Sequence, residues 1–336
     1  MIMDVEPRSR GALTRRRVPQ PWPADREFKI LSIDGGGIKG IYPASVLGEL
    51  EEQHLGGESI ADHFDMITGT STGGIIALGL SMRIRAREMA KLYLDHGKTI
   101  FPEPQFGKLG RAWARMRNLA YHRYDRAALA GLLTETFGDT RFGQTTSRLC
   151  IPSCDGTFGD VYIFKTPHHP DFVKDAIQPM TTVAMATAAA PTLFQPLPAG
   201  GYRFVDGGIW ANNPIMVGVV DAMTAFDIDR HRIRVLSLGC GDEPYKVSDA
   251  MMRWGGLFSW RTVIDGAIAF QSQNALGQAK LLLGAERVMR LVPDSASPPI
   301  SLDDYDRASL YLPSAALSTV EKHGRTLADV FLSRGD

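Results

Sequence analysis

Cysteine is scarce, a bilayer-length apolar run is missing, and neither sign of charge is in excess. The three cysteines, Cys150, Cys154 and Cys240, are odd in number and lack CxxC spacing. That excludes a disulfide framework and a structural zinc site, and it fits a reducing compartment. No stretch reaches the roughly 18 apolar residues of a membrane span. The start, MIMDVEPRSRGALTRRRVPQPWP, has charges and prolines where a secretory signal has an apolar core. A cytoplasmic protein is expected. Lys plus Arg equals Asp plus Glu at 37 each, so no global field selects a nucleic-acid polymer or an anionic surface, and recognition by charge is left to local patches. What is present is a chain of 336 residues, 44% of them hydrophobic, enough for one large core.

Residues 1–25 are rich in Arg and Pro and poor in apolar periodicity, and read as a flexible tail; residues 26–336 read as one domain. FKILSI is a short aliphatic and β-branched run that stops at DGGG, and GIYPASVLGELEEQ then spaces apolar residues as a helix does, with Pro43 in the first turn. FDMIT, the turn GTSTGG and the apolar run IIALGLSM repeat this strand, loop and helix order. Further strands are expected at LCIPSC, VYIFKT, YRFVD and IRVLSLG, and further helices over 86–96, 124–137, 183–190 and 214–226. From Trp254 on the chain reads as mostly helical. Strands alternating with helices predict an α/β fold, a largely parallel sheet covered on both faces, with its ligand site at the carboxyl ends of the strands.

Both glycine-rich loops fall at such ends. In GTSTGG, Gly69 and Gly73 flank Ser71 at GxSxG spacing. A nucleophile on a tight strand-to-helix turn is pushed out of the sheet, needs small neighbours, and faces the free N–H groups of the helix that follows. By itself the pattern is also an ordinary small-residue turn; its position between a strand and an apolar helix favours the chemical reading.

DGGGIKG offers consecutive N–H groups at Gly35, Gly36 and Gly37 with no side chains in the way, a cradle for a negatively charged oxygen. It also matches GxGxxG, so a non-catalytic module that binds a nucleotide is the rival reading. The acidic residue expected ~20 positions on, at the end of a second strand, is missing, and Ile41 and Tyr42 stand where a phosphate loop has Lys and Ser/Thr. Asp34 reads as structural. Lys39 either orients a phosphate or pairs with a carboxylate.

A serine nucleophile needs a base. His231 and His323 follow Asp206 in the chain, as a Ser-Asp-His order requires, but neither sits at a strand end; His168 and His169, in TPHHPDF, read as a surface loop. YRFVDGGIWANNP is different, since a strand ends in Asp206 and two glycines follow. The carboxylate would then project from the same sheet edge as Ser71. A direct Ser71–Asp206 dyad becomes available if burial raises the proton affinity of the aspartate.

Taken together, DGGGIKG, GTSTG, the DGG of residues 206–208 and AAAPTLFQP resemble the patatin-like phospholipase family in motif, order and spacing over roughly residues 28–214, with VLSLGCG and RVMRLVP similar to later family strands. The resemblance implies a three-layer α/β/α sandwich with a mainly parallel central sheet. It implies a lipid acyl hydrolase with Ser71 as nucleophile, Asp206 as base and Gly35, Gly36 and Gly37 as the oxyanion hole, working without histidine, metal or cofactor on membrane glycerophospholipid esters. FKTPHHPDF and VDGGIWANNPIMVGVVDAM are further similar to the bacterial phospholipase effectors of anti-phage defence, which are switched on by cyclic dinucleotides. A cyclic dinucleotide activator is expected on that ground, with transient contact at the inner face of the membrane; a general lipid esterase without nucleotide control is the alternative.

Between Lys98 and Arg126, seven Lys and Arg stand against two acids, interleaved with Phe101, Phe106, Trp113, Tyr121 and Tyr124. Such a mixture suits a lipid interface or an anionic activator, or else a helix with its rings in the core. Trp254, Leu257, Phe258 and Trp260 form a second cluster, read as core packing, with a lid or an oligomer contact as alternatives.

Overall fold

The computed structural model describes residues 17–102, 122–241, 245–254, 263–294 and 299–333, together with Pro7. Its strands are β1 (Gln20–Pro21), β2 (Phe28–Ile33), β3 (Met66–Gly69), β4 (Arg148–Asp155), β5 (Asp160–Lys165), β6 (Leu197–Ala199), β7 (Tyr202–Asp206), β8 (Phe226–Asp227), β9 (Ile233–Leu238) and β10 (Val288–Leu291). The main sheet has eight strands in the order β10-β9-β2-β3-β4-β7-β6, with β5 also paired to β4. From β10 to β4 every pairing is parallel.

Side chains alternate between two apolar layers, as the period of a strand requires. Leu31, Ile33, Ile67, Leu149, Ile151, Leu236 and Leu238 enter one core, shared with the helices Ile41–His54, Thr72–Ser81, Ala86–Ile100 and Tyr305–Leu327. Phe28, Ile30, Met66, Cys150, Ile233 and Val235 enter the other, covered by the helices Ile215–Ala225 and Val263–Leu283. The result is a three-layer α/β/α sandwich. Both faces of β2 and β3 are buried apart from the half-buried Lys29, which is why these strands read as mostly apolar runs.

Two features differ from a simple parallel reading. Strands β5 and β7 run antiparallel to β4, and the stretch expected to be a tail through residue 25 is, from Arg17 on, attached to the fold. There β1 pairs in parallel with β8, and the Trp22 ring lies 4.7 Å from Phe28 and 5.4 Å from Phe226, so an aromatic contact supplies what the stretch lacks in periodicity. Among the described residues no helix is long and apolar enough to cross a membrane.

The antiparallel direction of β7 decides where its end lies. Strand β5 pairs with β4 from Cys150 to Asp155 and occupies one edge along that length. Strands β3 and β7 must therefore share the other edge, β3 opposite residues 148–150 and β7 opposite 153–155. They approach each other head-on. The carboxyl end of β3 leads to Ser71 and that of β7 is Asp206, separated along β4 by little more than Pro152.

Candidate active site

Ser71 sits between β3 and the helix Thr72–Ser81 with φ 54° and ψ −122°, a strained conformation for a residue with a side chain. The strain holds because the neighbours leave no other path. A Cβ on Gly69 would lie 2.2 Å from the Gly73 carbonyl oxygen, and one on Gly73 2.3 Å from that of Ile33. Only glycine fits at either position, and the two together fix the turn. Ser71 N–H donates to Thr187 Oγ1 at 3.0 Å, and Thr187 Oγ1 donates to the Pro152 carbonyl at 2.6 Å. Thr187 therefore ties the turn to the residue of β4 that separates the two strand ends.

Ser71 Oγ donates to Asp206 Oδ2 at 2.6 Å. The other carboxylate oxygen accepts Gly208 N–H at 2.7 Å, and Asp206 N–H donates to the Ala189 carbonyl at 3.0 Å. The side chain is thus held at both ends. Asp206 is only 4% exposed. Burial pushes its pKa up from 3.8 to about 6, against the Ser71 and Gly208 hydrogen bonds that pull it down. Such a carboxylate is ionised at neutral pH and still has appreciable affinity for a proton.

The glycine loop lies against this pair, since a Cβ on Gly35 would come within 3.3 Å of Ser71 Cβ. Its three N–H groups are not equivalent. That of Gly35 donates to the Asn212 carbonyl at 3.0 Å, which corrects the expectation that all three are available; the turn after Asp206 consumes the first donor in joining the two loops. The N–H groups of Gly36 and Gly37 have no acceptor among the described residues. At Gly37 the backbone turns with φ 57°, and Lys39 N–H folds back to the Gly36 carbonyl at 3.1 Å. Asp34 immediately precedes this cradle in the chain. It is fully buried and held by Arg290 of β10 in a two-pronged ion pair at 2.9 and 2.5 Å.

Among the described residues no histidine bonds Ser71 or Asp206. His231 is exposed, and His323 is half-buried on the long C-terminal helix. His168 and His169 were expected on a surface loop, yet both side chains are 4% exposed. Each has an internal partner: His168 Nε2 meets Asp221 Oδ2 at 2.6 Å, with Lys165 on the other oxygen of the same carboxylate, and His169 Nε2 meets the Val18 carbonyl at 3.0 Å. Cys150, His168 and Asp221 bring three ligand atoms within 4.8 Å of one another. They fit a metal poorly. Burial works against ionisation of Asp221, but the His168 hydrogen bond and the Lys165 charge hold it below the ordinary carboxylate range, while burial pushes the Cys150 thiol well up. The carboxylate is already neutralised and the thiol stays protonated.

The family model for patatin-like phospholipases matches residues 31–219, the span from β2 through both loops to the helix after Asp206. The chain belongs to the patatin-like phospholipase family. It is accordingly a lipid acyl hydrolase. It is 33% identical over 331 residues to a cGAMP-activated phospholipase of Escherichia coli strain TW11681, with 90% of this chain and 89% of the relative covered. A cGAMP-activated phospholipase of Vibrio cholerae is 32% identical over 335 residues, covering 90% of each. Patatin-like protein 2 of Arabidopsis thaliana is 34% identical over 271 residues, covering 69% of this chain and 65% of the relative. The matched span contains the Ser71 turn, the glycine loop and Asp206, with Thr187 and Asn212 as the supports that sequence reasoning did not single out. Asn212 lay inside a quoted motif; Thr187 gave no local signal. The basic and aromatic stretch falls largely, and Leu257, Phe258 and Trp260 entirely, outside the described residues.

Proposed function

We propose that this protein hydrolyses acyl esters of membrane glycerophospholipids through a Ser71–Asp206 dyad. What carries the reading is the 2.6 Å hydrogen bond from Ser71 Oγ to a buried carboxylate poised near neutral pH. Ser71 Oγ attacks the ester carbonyl carbon while its proton passes to Asp206 Oδ2, giving a tetrahedral oxyanion. The N–H groups of Gly36 and Gly37 and the amino end of the helix Thr72–Ser81 receive that charge. Collapse breaks the carbon–oxygen bond, and the leaving lysolipid oxygen takes the proton from Asp206. Water then attacks the acyl-enzyme, with Asp206 accepting its proton and returning it to Ser71, and a free fatty acid departs. The nucleotide-module alternative is disfavoured because Gly35 N–H, a donor such a loop would offer to phosphate, is engaged inside the protein.

A fluorophosphonate probe tests the nucleophile: it should label Ser71, and labelling should disappear in Ser71→Ala. Asp206→Asn should abolish ester hydrolysis while His231→Ala and His323→Ala retain most of it. A histidine variant as inactive as Asp206→Asn would return the site to a triad.

Control by a cyclic dinucleotide is supported by the bacterial relatives, which are named for activation by cGAMP and align with 90% of this chain. The expected behaviour is slow hydrolysis of liposomes by the protein alone and a large increase with one member of a panel of cyclic dinucleotides. Full activity without any nucleotide would remove this part of the proposal and leave the hydrolase standing.

A further inference from the structure

The oxyanion turn is gripped from outside by two carbonyls. Asn212 O takes the N–H of Gly35 at 3.0 Å and Leu302 O takes that of Ile38 at 2.8 Å, and the two N–H groups without an acceptor lie between these grips. The Leu302 grip is very close. A Cβ on Gly37 would come within 2.3 Å of the Leu302 carbonyl oxygen, so the position of this one carbonyl dictates where the Gly37 N–H lies.

Leu302 belongs to neither β10 nor the helix Tyr305–Leu327, and at 43% exposure its own side chain does little to hold it. Its neighbour does. The Asp303 carboxylate pairs with Arg123, 180 residues away in the chain, and accepts the Tyr124 hydroxyl at 2.8 Å. Arg123 and Tyr124 are themselves fixed, because their N–H groups donate to the Thr192 and Leu193 carbonyls at 2.9 Å each. Two residues further along the chain, Tyr305 donates to the Leu94 carbonyl at 2.5 Å, and its ring lies where a Cβ on Gly97 would come within 2.4 Å. The Leu302 carbonyl that touches the oxyanion turn is therefore followed directly by two anchored residues, Asp303 and Tyr305.

We propose that Asp303, held by Arg123 and Tyr124, is a positioning residue for acyl transfer, acting through the Leu302 carbonyl to place the Gly36 and Gly37 N–H groups over the reacting carbonyl. This rests on the Ser71 acyl-transfer reading. An exposed ion pair alone contributes little, but Asp303 is only 16% exposed and receives two donors at once. Burial and the adjacent Asp303 carboxylate push the Tyr124 phenol up, so its hydroxyl keeps its proton and remains a donor. Losing one oxyanion donor costs about 10²–10³ in turnover, and misplacing a reacting group by about 1 Å costs about 10².

The test is steady-state kinetics on a soluble short-chain p-nitrophenyl ester, with a pH profile and a thermal melt, for Asp303→Ala, Asp303→Asn, Tyr124→Phe and the Ser71→Ala control. Asp303→Ala should lower kcat about 10- to 100-fold with KM within about twofold, and its acid limb should stay where the wild type has it, because Asp206 is untouched. Asp303→Asn, which keeps an acceptor of the same shape, should recover most of the loss. Asp303→Ala with kcat within about twofold of wild type overturns the proposal, as does a loss carried by KM or by a shifted acid limb. If Asp303→Ala does not fold, Tyr124→Phe decides: a drop in kcat of about threefold or more at unchanged KM supports the proposal, and no drop sinks it. Activity persisting in Ser71→Ala would instead overturn the acyl-transfer reading itself; loss there with no effect at Asp303 overturns only the positioning role.

Discussion

Replacing Asp206 with Asn should make the protein more stable at neutral pH even as it removes hydrolysis. The folded carboxyl titrates at about 6 against 3.8 for an ordinary aspartate, so the folded protein holds this proton more tightly than the unfolded chain does. As pH rises from 3.8, the unfolded chain ionises first. Stability falls through the window between 3.8 and about 6, and the full cost is present above it. A gap of about two pH units corresponds to about 3 kcal/mol. Asparagine avoids that cost but offers one acceptor oxygen where the carboxylate offers two, so either Ser71 Oγ–H or Gly208 N–H loses its acceptor, at about 1 kcal/mol. A net gain of about 2 kcal/mol is expected at pH 7.5, a rise of a few degrees in melting midpoint for a chain of this size. Thermal melts of both proteins followed by circular dichroism from pH 4 to pH 7.5 read it directly: the difference should be absent or reversed at pH 4, grow with pH, and level off above about 6. A difference that does not depend on pH, or an Asn variant that loses ground to wild type as pH rises, would refute a desolvated carboxylate.

The remaining expectations bear on the supports of the site. Thr187→Val keeps shape but removes the acceptor of Ser71 N–H and the donor to Pro152, and should lower turnover of a chromogenic ester about tenfold by loosening the elbow. Gly73→Ala should yield little folded protein on gel filtration, because the new methyl meets the Ile33 backbone at 2.3 Å, whereas Gly131→Ala, with nothing within 4 Å in the helix Ala127–Phe137, should raise the urea midpoint by the equivalent of up to about 1 kcal/mol. Arg290→Met removes the two-pronged cationic partner of the buried Asp34 carboxylate and should cost about 3–5 kcal/mol in urea unfolding, with a good part returned when Asp34→Asn is added.

Sequence reasoning reached the site where chemistry and backbone are written in adjacent residues. The elbow at Ser71 needs glycines two positions either side, and the close approaches of Gly69 and Gly73 to backbone show that requirement met locally. The same is true of Asp206, whose second oxygen is satisfied by the Gly208 of its own DGG. What a local pattern does not carry is pairing at long range. Asp34 reads as structural, but its partner Arg290 lies 256 residues away. TPHHPDF has the composition of a surface loop, yet its two histidine side chains are buried, His168 against Asp221 on the helix Ile215–Ala225 and His169 against the Val18 carbonyl. GGG shows three donors, and only the position of the Asn212 carbonyl reveals that one is taken. The direction of YRFVD was equally hidden, since a five-residue strand reads the same in a parallel or an antiparallel neighbour.

In the proposed dyad, that direction accounts for how two residues could suffice. Had β7 run parallel to β3 on the next lane of the sheet, its end would lie beside the elbow at the distance between neighbouring strands, and a third group would be needed to carry the proton across. Because β3 and β7 meet end to end on one edge of β4, the serine turn and the carboxylate face each other along a single line, with Pro152 between them and Thr187 bridging Pro152 to the serine amide. A carboxylate on a strand end has one side chain length with which to reach the hydroxyl, and the 2.6 Å contact shows that this is enough. The strand end also buries the carboxylate while Ser71 stays partly exposed, and that burial raises the proton affinity of Asp206 toward the range a base requires. On the proposed mechanism, one topological feature, the reversal of β7, would supply both the reach and the basicity for which a serine triad uses a histidine.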